Sequence, residues 1–565
     1  MKWIVTCAWP YINAVPHLGT LVQLVSADVY ARCRRKLGDE VVFVSGSDEH
    51  GTPIEVEALK RKIDPKALTD RMHSYFCKLI NLFGISFDNY TRTESPVHIK
   101  FVQDFYLKVQ KNGYIFVEES EQLFCPKDKM FLPDRFVEGT CPYCGYEKAT
   151  GDQCEKCGRL LTPTDLINPR CAICGTPPEL KKTKHWYFDL PRFEDRLRRY
   201  IEEHEALPQN AKSMSLSMIN EGLRPRAITR DNKWGIPSPF PGSEGKTIYV
   251  WMEAVLGYVS AVKEYFERNG CPEKFDLFWK DPETRSVYFI GKDNIPFHTI
   301  ILPALLMASE EGYTLPYNVS STEFLNYEGD KFSKRFRRGI WMDEALLLLE
   351  ADYWRYYIIS TRPENKDANF TWEDFEAKIN NELNDVLGNF VHRVMSFLAN
   401  RYNGVVPSAD LDEESSNFLE RCLEIAEKSI SHIERFMLKE ALREAMNVAR
   451  EGNRFFNERE PWRDIKMDRS RSDSTLLAST QTVKIISHVI EPFLPFTAEK
   501  LWGMLNLDGD PHSTTFDDMK VLLRGGHRIG DVKPLFRKVD AEELKSKLER
   551  IRKEAKSELL LEEAS

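Results

Sequence analysis

Two stretches carry the residue types for phosphate chemistry: Pro16-His17-Leu18-Gly19-Thr20 near the start of the chain, and Lys331-Phe332-Ser333-Lys334-Arg335 past its middle. Gly19, two residues after the imidazole of His17, lets a flat base or ribose approach the backbone. The helix that follows offers its first N–H groups and the positive end of its dipole to an anion. Lys331 and Lys334, three apart in a loop flanked by Gly329 and Gly339, can close over a triphosphate. There they neutralise charge that develops on leaving pyrophosphate. A His-x-Gly after a strand is by itself more often a surface turn, so each stretch takes its meaning from the other. Together they predict one nucleotide site with two halves.

The elements that must position them follow from periodicity. Trp3 to Ala8 is an apolar strand, Leu21 to Leu37 a helical pattern closed by Gly38, and Glu40 to Ser45 a second strand. Helices around Pro65 to Phe83 and Pro96 to Asn112 complete a doubly wound parallel α/β pattern. Open sheets of this kind bind ligands beyond the carboxyl ends of their strands, so Asp48, just past the second strand, shares a crevice with His17. A carboxylate there can hold an ammonium group or cap a helix. After Pro225 the pattern returns, with Thr247 to Ala254 as a strand entering a helix through Tyr258, and Ser286 to Asn294 as another strand. Trp9, Tyr11, Trp251 and Tyr258 then gather at one sheet edge, where they could line an apolar pocket.

Between the two halves the periodicity stops near Glu118 and the cysteines begin. Seven of the twelve fall between Cys125 and Cys174. Cys141-x-x-Cys144 and Cys154-x-x-Cys157 are two knuckles at tetrahedral zinc spacing. Cys125, Asp128, Cys171 and Cys174 bracket them as a second zinc set, with two alternatives: His185 is the fourth ligand, or the second site is empty. Neither set leaves an evident open ligand position, so both read as structural.

After Thr371 the chain is helical to its end. Phe375, Ile379, Leu383, Val386, Phe390, Val394 and Phe397 make one apolar stripe, with Asn389 and Arg393 on its shoulder, and further helices give a bundle. Trp462, just past a helix end, either packs there or stacks an unpaired base. The amphipathic helix from Asp540 to Leu559 should dock on the body or on a partner.

Of the 565 residues 42% are hydrophobic and 29% charged, an ordinary globular composition, and the length implies three or more domains. No apolar run approaches a membrane span and none resembles a signal peptide, so a cytoplasmic location away from membranes is expected. The net charge of -9 excludes a protein coated in basic charge for nonspecific nucleic-acid binding. Local basic patches remain candidates, at Arg32 to Lys36 and Lys331 to Arg338.

In this order the motifs resemble the class I aminoacyl-tRNA synthetases, and most closely the methionyl-tRNA synthetase family. Ala8-Trp9-Pro10-Tyr11, Asp48-x-His50-Gly51-Thr52-Pro53, Tyr249-Val250-Trp251 and Gly291-Lys292-Asp293 look like that family's motifs. The resemblance runs from the first strand to about Leu505, and the double knuckle resembles the branch with two metal sites.

The resemblance implies a methionine–tRNA ligase that forms methionyl-adenylate with ATP and Mg2+ and charges tRNA(Met), the initiator included. His17, Thr20, Lys331 and Lys334 would be catalytic. His17, Gly19, Arg230, Gly291, Lys292, Asp293 and Lys334 would hold ATP. Ala8, Trp9, Tyr11, Asp48, Trp251, Ala254, Tyr258 and His298 would hold L-methionine. Asn389, Arg393 and Trp462 would read the CAU anticodon. The implied division is a split Rossmann-type domain (1–115 and 226–325), a zinc-knuckle insertion (116–225), a stem-contact region with the Lys331 loop (326–371), a helical anticodon domain (372–535) and a terminal helix (536–565). A monomer is expected, with that helix as a candidate contact for a separate tRNA-binding protein.

Departures from the family pattern are Thr20 in place of histidine or asparagine, Phe332 and Arg335 in place of methionine and serine, Val255, and Asn294. Three alternatives stand beside this reading. A leucine, isoleucine or valine enzyme would carry a large editing insertion, a small-molecule nucleotidyltransferase would leave the bundle unexplained, and a non-enzymatic zinc protein would show no amino-acid-dependent exchange.

Overall fold

The structure, a computed structural model, describes residues 1–133, 136–151, 154, 156, 161–333, 338–555 and 559–562. Five parallel strands form its central sheet: β1 (Lys2–Cys7), β2 (Glu40–Ser47), β3 (Asn89–Arg92), β4 (Arg285–Gly291) and β5 (Asn318–Thr322), in the order β5-β4-β1-β2-β3. Helices cover both faces, which is why β1 and β4 read as apolar runs rather than alternating ones. β1 pairs with β4 in register, Cys7 opposite Phe289. The strand order reverses between these two, and the crevice beyond their carboxyl ends is where such sheets bind ligands.

β1 leads into α1 (Leu18–Lys36), which starts three residues earlier than its apolar pattern because His17 caps it. Gly38, at φ +81°, ends it in the left-handed region. The basic run at the end of α1 is no RNA patch. Arg32, Arg34 and Lys36 are buried, with Arg32 on Asp28 (2.9 Å) and Glu491 (2.6 Å), and Arg34 on Glu434 (2.9 Å). Arg355, fully buried, reaches the same Asp28 at 2.6 Å. This cluster ties α1 to the helical half of the chain, and spacing alone could not separate it from a solvated face.

The segment after Tyr114 remains regular past Glu118, where the apolar periodicity of the sequence stops. Ile115–Cys125 pairs antiparallel with Glu179–Phe188, from Ile115 opposite Phe188 to Phe124 opposite Glu179. Much of this ribbon is exposed, so its strands lack apolar alternation. Its far end carries the cysteine region on a small sheet of Val137–Thr140, Ala149–Thr150 and Ile167–Cys171. Helices Glu194–Glu203 and Gln209–Asn220 then return to the edge of the parallel sheet, where the Tyr200 hydroxyl donates to the Pro316 carbonyl at 2.7 Å.

The remainder is helical, with Glu413–Glu434, Leu438–Arg459 and Arg469–Ile490 as the long members of a bundle. The predicted single stripe is interrupted. Trp372–Lys378 runs into a π-helical stretch, Ile379–Gly388, before α-helix resumes over Asn389–Arg401. The wider turn moves the buried face on, so Leu387 and Leu398 are buried while Val386 and Phe397 are only half-buried. The last helix, Ala541–Glu554, docks on the body: Leu544 and Leu548 are buried, and Arg552 pairs with Glu344 at 2.6 Å. Among the described residues no helix is long and apolar enough to cross a membrane.

Candidate active site

His17 accepts the Gly19 N–H on Nδ1 at 3.0 Å. A Cβ on Gly19 would lie 2.8 Å from the ring, so the cap requires glycine there. No acidic side chain stands in the first turn of α1, which keeps its positive end open to an anion. Thr20 is half-buried in that turn, its N–H on the His17 carbonyl at 2.9 Å.

The second stretch comes to the first. Phe332 stacks on His17 with ring centroids 4.5 Å apart and planes 9° from parallel. Met342 N–H donates to the Pro16 carbonyl at 2.9 Å and Leu18 N–H to the Ile340 carbonyl at 3.1 Å, so the foot of the loop is stitched to the His17 turn. Gly339, at φ +135°, accommodates the Phe332 ring, which a Cβ would meet at 2.3 Å. Lys331 is exposed, its Nζ 4.9 Å from the Phe324 ring. Lys334 lies outside the described residues.

The other expected nucleotide residues are engaged with protein. Gly291 ends β4, and Lys292 and Asp293 stand in the single helical turn that follows it. Lys292 pairs with Glu323 (2.5 Å) and Asp367 (3.2 Å), and its Nζ shares the Phe324 ring with Lys331, at 4.3 Å. Arg230 stacks on Tyr249 at 3.9 Å and donates to the carbonyls of Ala227 and Thr229.

The expected amino-acid residues converge. Ala8 ends the β1 ladder by donating to the Phe289 carbonyl, and Trp9 follows it into a slot between Gly46 and Gly257, where added Cβ atoms would come within 2.7 and 2.6 Å of the indole. Trp9 meets the Tyr258 ring edge-on at 6.3 Å. The Tyr258 hydroxyl lies 2.8 Å from His298 Nε2, and His298 Nδ1 is 2.8 Å from the Asn294 carbonyl. A carbonyl only accepts, so Nδ1 carries the proton and Nε2 accepts from Tyr258. Burial holds His298 at about 4, which keeps it neutral. Trp251 is 45% exposed and meets Phe297 edge-on at 5.0 Å, over an apolar cavity of about 370 Å³ that Tyr249, Met252 and Ile300 also line. Ala254, on the same short helix, is half-buried.

Asp48 pairs backbone to backbone with the Tyr11 segment, its N–H donating to the Pro10 carbonyl at 2.9 Å, and it is 3% exposed. Its Oδ1 has no hydrogen-bond partner among the described residues. Burial, and next the charge of Glu253, raise its carboxyl well above the usual range. Two residues on, His50 is held by Glu253 at 2.5 Å and Glu94 at 2.7 Å.

In the insertion, Cys125, Asp128, Cys171 and Cys174 bring one ligand atom each within 4.8 Å of one another, as do Cys141, Cys144 and Cys154. Asp128 Oδ2 lies 3.2 Å from Cys125 Sγ and 3.1 Å from Cys171 Sγ, and Cys144 and Cys154 are 3.5 Å apart. Thiolates and a carboxylate this close are the donor set of a tetrahedral site, and the two clusters could each hold a metal ion. Cys157 lies outside the described residues. His185 is not the alternative ligand: it faces Asp231 at 3.1 Å and Thr229 at 3.0 Å. At the end of the bundle, Arg393 donates to Asn457 at 2.7 Å and lies over the rings of Phe456 and Trp462. Asn389, one turn earlier, is exposed, and Trp462 is 39% exposed.

Residues 3–395 match the family model of tRNA synthetases class I (M), and residues 406–555 that of the anticodon binding domain of methionyl tRNA ligase. The methionine–tRNA ligase of Korarchaeum cryptofilum is 64% identical over 552 residues, 98% of each chain. The chain belongs to the methionine–tRNA ligase family. That of Pyrobaculum aerophilum is 53% identical over 98% of this chain and 97% of its own. The fold is that of Mycobacterium tuberculosis methionyl-tRNA synthetase in complex with methionyl-adenylate, with a TM-score of 0.78 at 23% identity over 95% of this chain and 99% of that one.

This methionine–tRNA ligase family member is thus a class I aminoacyl-tRNA synthetase, a ligase with a split parallel sheet and a helical carboxyl-terminal part. Sequence reading missed Glu94, Glu253 and Phe297 in the crevice and Asn457 beside Arg393. Glu253 follows the quoted Tyr-Val-Trp motif by two residues, the one signal that could have drawn attention to it.

Proposed function

We propose that the crevice activates methionine with ATP and that the product charges tRNA bearing a CAU anticodon. The observation that carries this reading is the buried Asp48 carboxyl, one oxygen of which, Oδ1, has no hydrogen-bond partner among the described residues. Asp48 receives the α-ammonium. The methionine side chain lies against Trp9, Tyr258, Trp251 and Ala254, with neutral His298 holding the Tyr258 hydroxyl. The methionine carboxylate attacks the α-phosphate of ATP, and pyrophosphate leaves toward the loop that begins at Lys331, with Lys334 as a further cation for it. The ribose hydroxyl of the terminal adenosine then takes the acyl group from the adenylate.

No side chain acts as a nucleophile in this scheme. Catalysis is positioning plus stabilisation of charge on the phosphates by the α1 terminus, His17 and the loop lysines, with Mg2+ accompanying ATP. The hydroxyl of Thr20 can hydrogen-bond a phosphate but brings no charge. Cys125, Asp128, Cys171 and Cys174 would hold one structural zinc, and Cys141, Cys144 and Cys154 would supply three ligands to another. The functional division follows the boundaries given above, with Asn389, Arg393 and Trp462 on the anticodon face.

The test is methionylation of tRNA(Met) by the wild type and Trp462→Ala, beside ATP–pyrophosphate exchange. Loss of a stacked base slows charging by about 10- to 100-fold and leaves exchange intact. Parallel loss of both would mark Trp462 as a packing residue.

A further inference from the structure

His50 is buried, and its ring sits between two carboxylates: Nδ1 is 2.5 Å from Glu253 and Nε2 2.7 Å from Glu94. An ionised carboxylate accepts and cannot donate, so both ring nitrogens carry protons. Burial alone would lower the imidazole, but Glu253 and Glu94 push it up to about 10. Asp48 and Glu49 flank it on its own segment. His98, from helix Pro96–Lys111, is kept neutral at about 3, and the Trp234 ring stands edge-on at 5.5 Å.

The three partners come from three elements. His50 stands in the turn after β2, Glu94 follows β3, and Glu253 belongs to the short helix Val250–Ala254 that also carries Trp251 and Ala254. Glu253 is fully buried, and its second oxygen has no partner among the described residues. The His50 ring is the side chain that Glu253 bonds across this crevice.

We propose that Glu94 and Glu253 are positioning residues for methionine: gripping His50 from both sides, they lock the Asp48 turn to the helix that carries Trp251. This rests on the reading that Asp48 holds the α-ammonium. Ammonium and side-chain recognition then belong to one rigid unit, with a fixed span between the carboxylate and the aromatic wall. ATP is held from His17 and the Lys331 loop, so loosening the grip harms methionine binding and spares ATP.

The experiment is ATP–pyrophosphate exchange with methionine and ATP varied separately, for the wild type, Glu94→Ala, Glu94→Gln and Asp48→Asn. Glu94 sits at the rim of the cluster, its side chain 16% exposed, and His50 keeps its bond to Glu253 when Glu94 is truncated. Losing this charged hydrogen bond should raise the methionine KM about tenfold in Glu94→Ala, with the ATP KM within about twofold of wild type. Glu94→Gln, whose amide can still bond Nε2, restores the methionine KM to within about threefold. An unchanged methionine KM in Glu94→Ala, an equal rise in both KM values, or no restoration by glutamine overturns the proposal. Asp48→Asn separates the underlying reading: it should raise the methionine KM about 100-fold or more, and an unchanged value would refute the ammonium assignment whatever Glu94 does.

Discussion

The Phe332 ring lies parallel to the His17 imidazole, with 4.5 Å between centroids. One aromatic contact thus joins the turn that opens the first helix to the loop that carries Lys331. Stacked rings contribute about 0.5–1.5 kcal/mol beyond their buried area. Phe332→Ala should therefore lower the exchange kcat by about three- to tenfold. Phe332→Met, which keeps a sulfur–aromatic contact, should retain most of it. Exchange at saturating substrates measures both.

Asp48 yields a pH dependence. Its folded carboxyl is raised by burial and by the charge of Glu253, and only the ionised form can hold an ammonium. Methionine binding should tighten as pH rises toward that raised value and release a proton, measured by calorimetry in buffers of different ionisation enthalpy. Because the raised group binds more protons folded than unfolded, it costs stability as pH climbs from the ordinary carboxylate range through its raised value. Asp48→Asn should therefore be stabilised relative to wild type at pH 8 and less so at pH 4, read by Tm.

Much of this site was legible because its signals are short-range. His17 and Gly19 are two apart, the Cys-x-x-Cys pairs three apart, and the order of motifs along the chain brought the halves together. What was not legible depends on pairs made by the fold. Glu253 and Glu94 meet His50 from distant segments, and Arg32 to Lys36 looked like a solvated patch because Asp28, Glu491 and Glu434, which bury it, lie mostly elsewhere in the chain. The π-helical stretch at Ile379–Gly388 has no signature of its own in an apolar stripe of 3.6-residue period. The Ile115–Cys125 ribbon escaped because its exposed faces leave no alternation to read.

Asp28 anchors α1 to the helical half. Burial alone would raise its carboxyl, but Arg32 and then Arg355 bring it down to about 2. Its contribution is present above the unfolded value near 3.8 and is lost as pH falls through about 2. Asp28→Asn leaves Arg355 buried without its anion and should cost about 3–5 kcal/mol in urea unfolding.

The cysteine clusters make a counting prediction. Metal analysis of the purified protein should find two zinc ions per chain, and Asp128→Ala should lose one of them. One zinc in the wild type would remove the set of Cys125, Asp128, Cys171 and Cys174 as a metal site.

The central claim is that this crevice is built for methionine. ATP–pyrophosphate exchange with each of methionine, leucine, isoleucine and valine tests it most directly. The account expects exchange with methionine, and rates with the other three lower by about two powers of ten or more at equal concentration. Equal or faster exchange with any of them, or none with methionine, would contradict it.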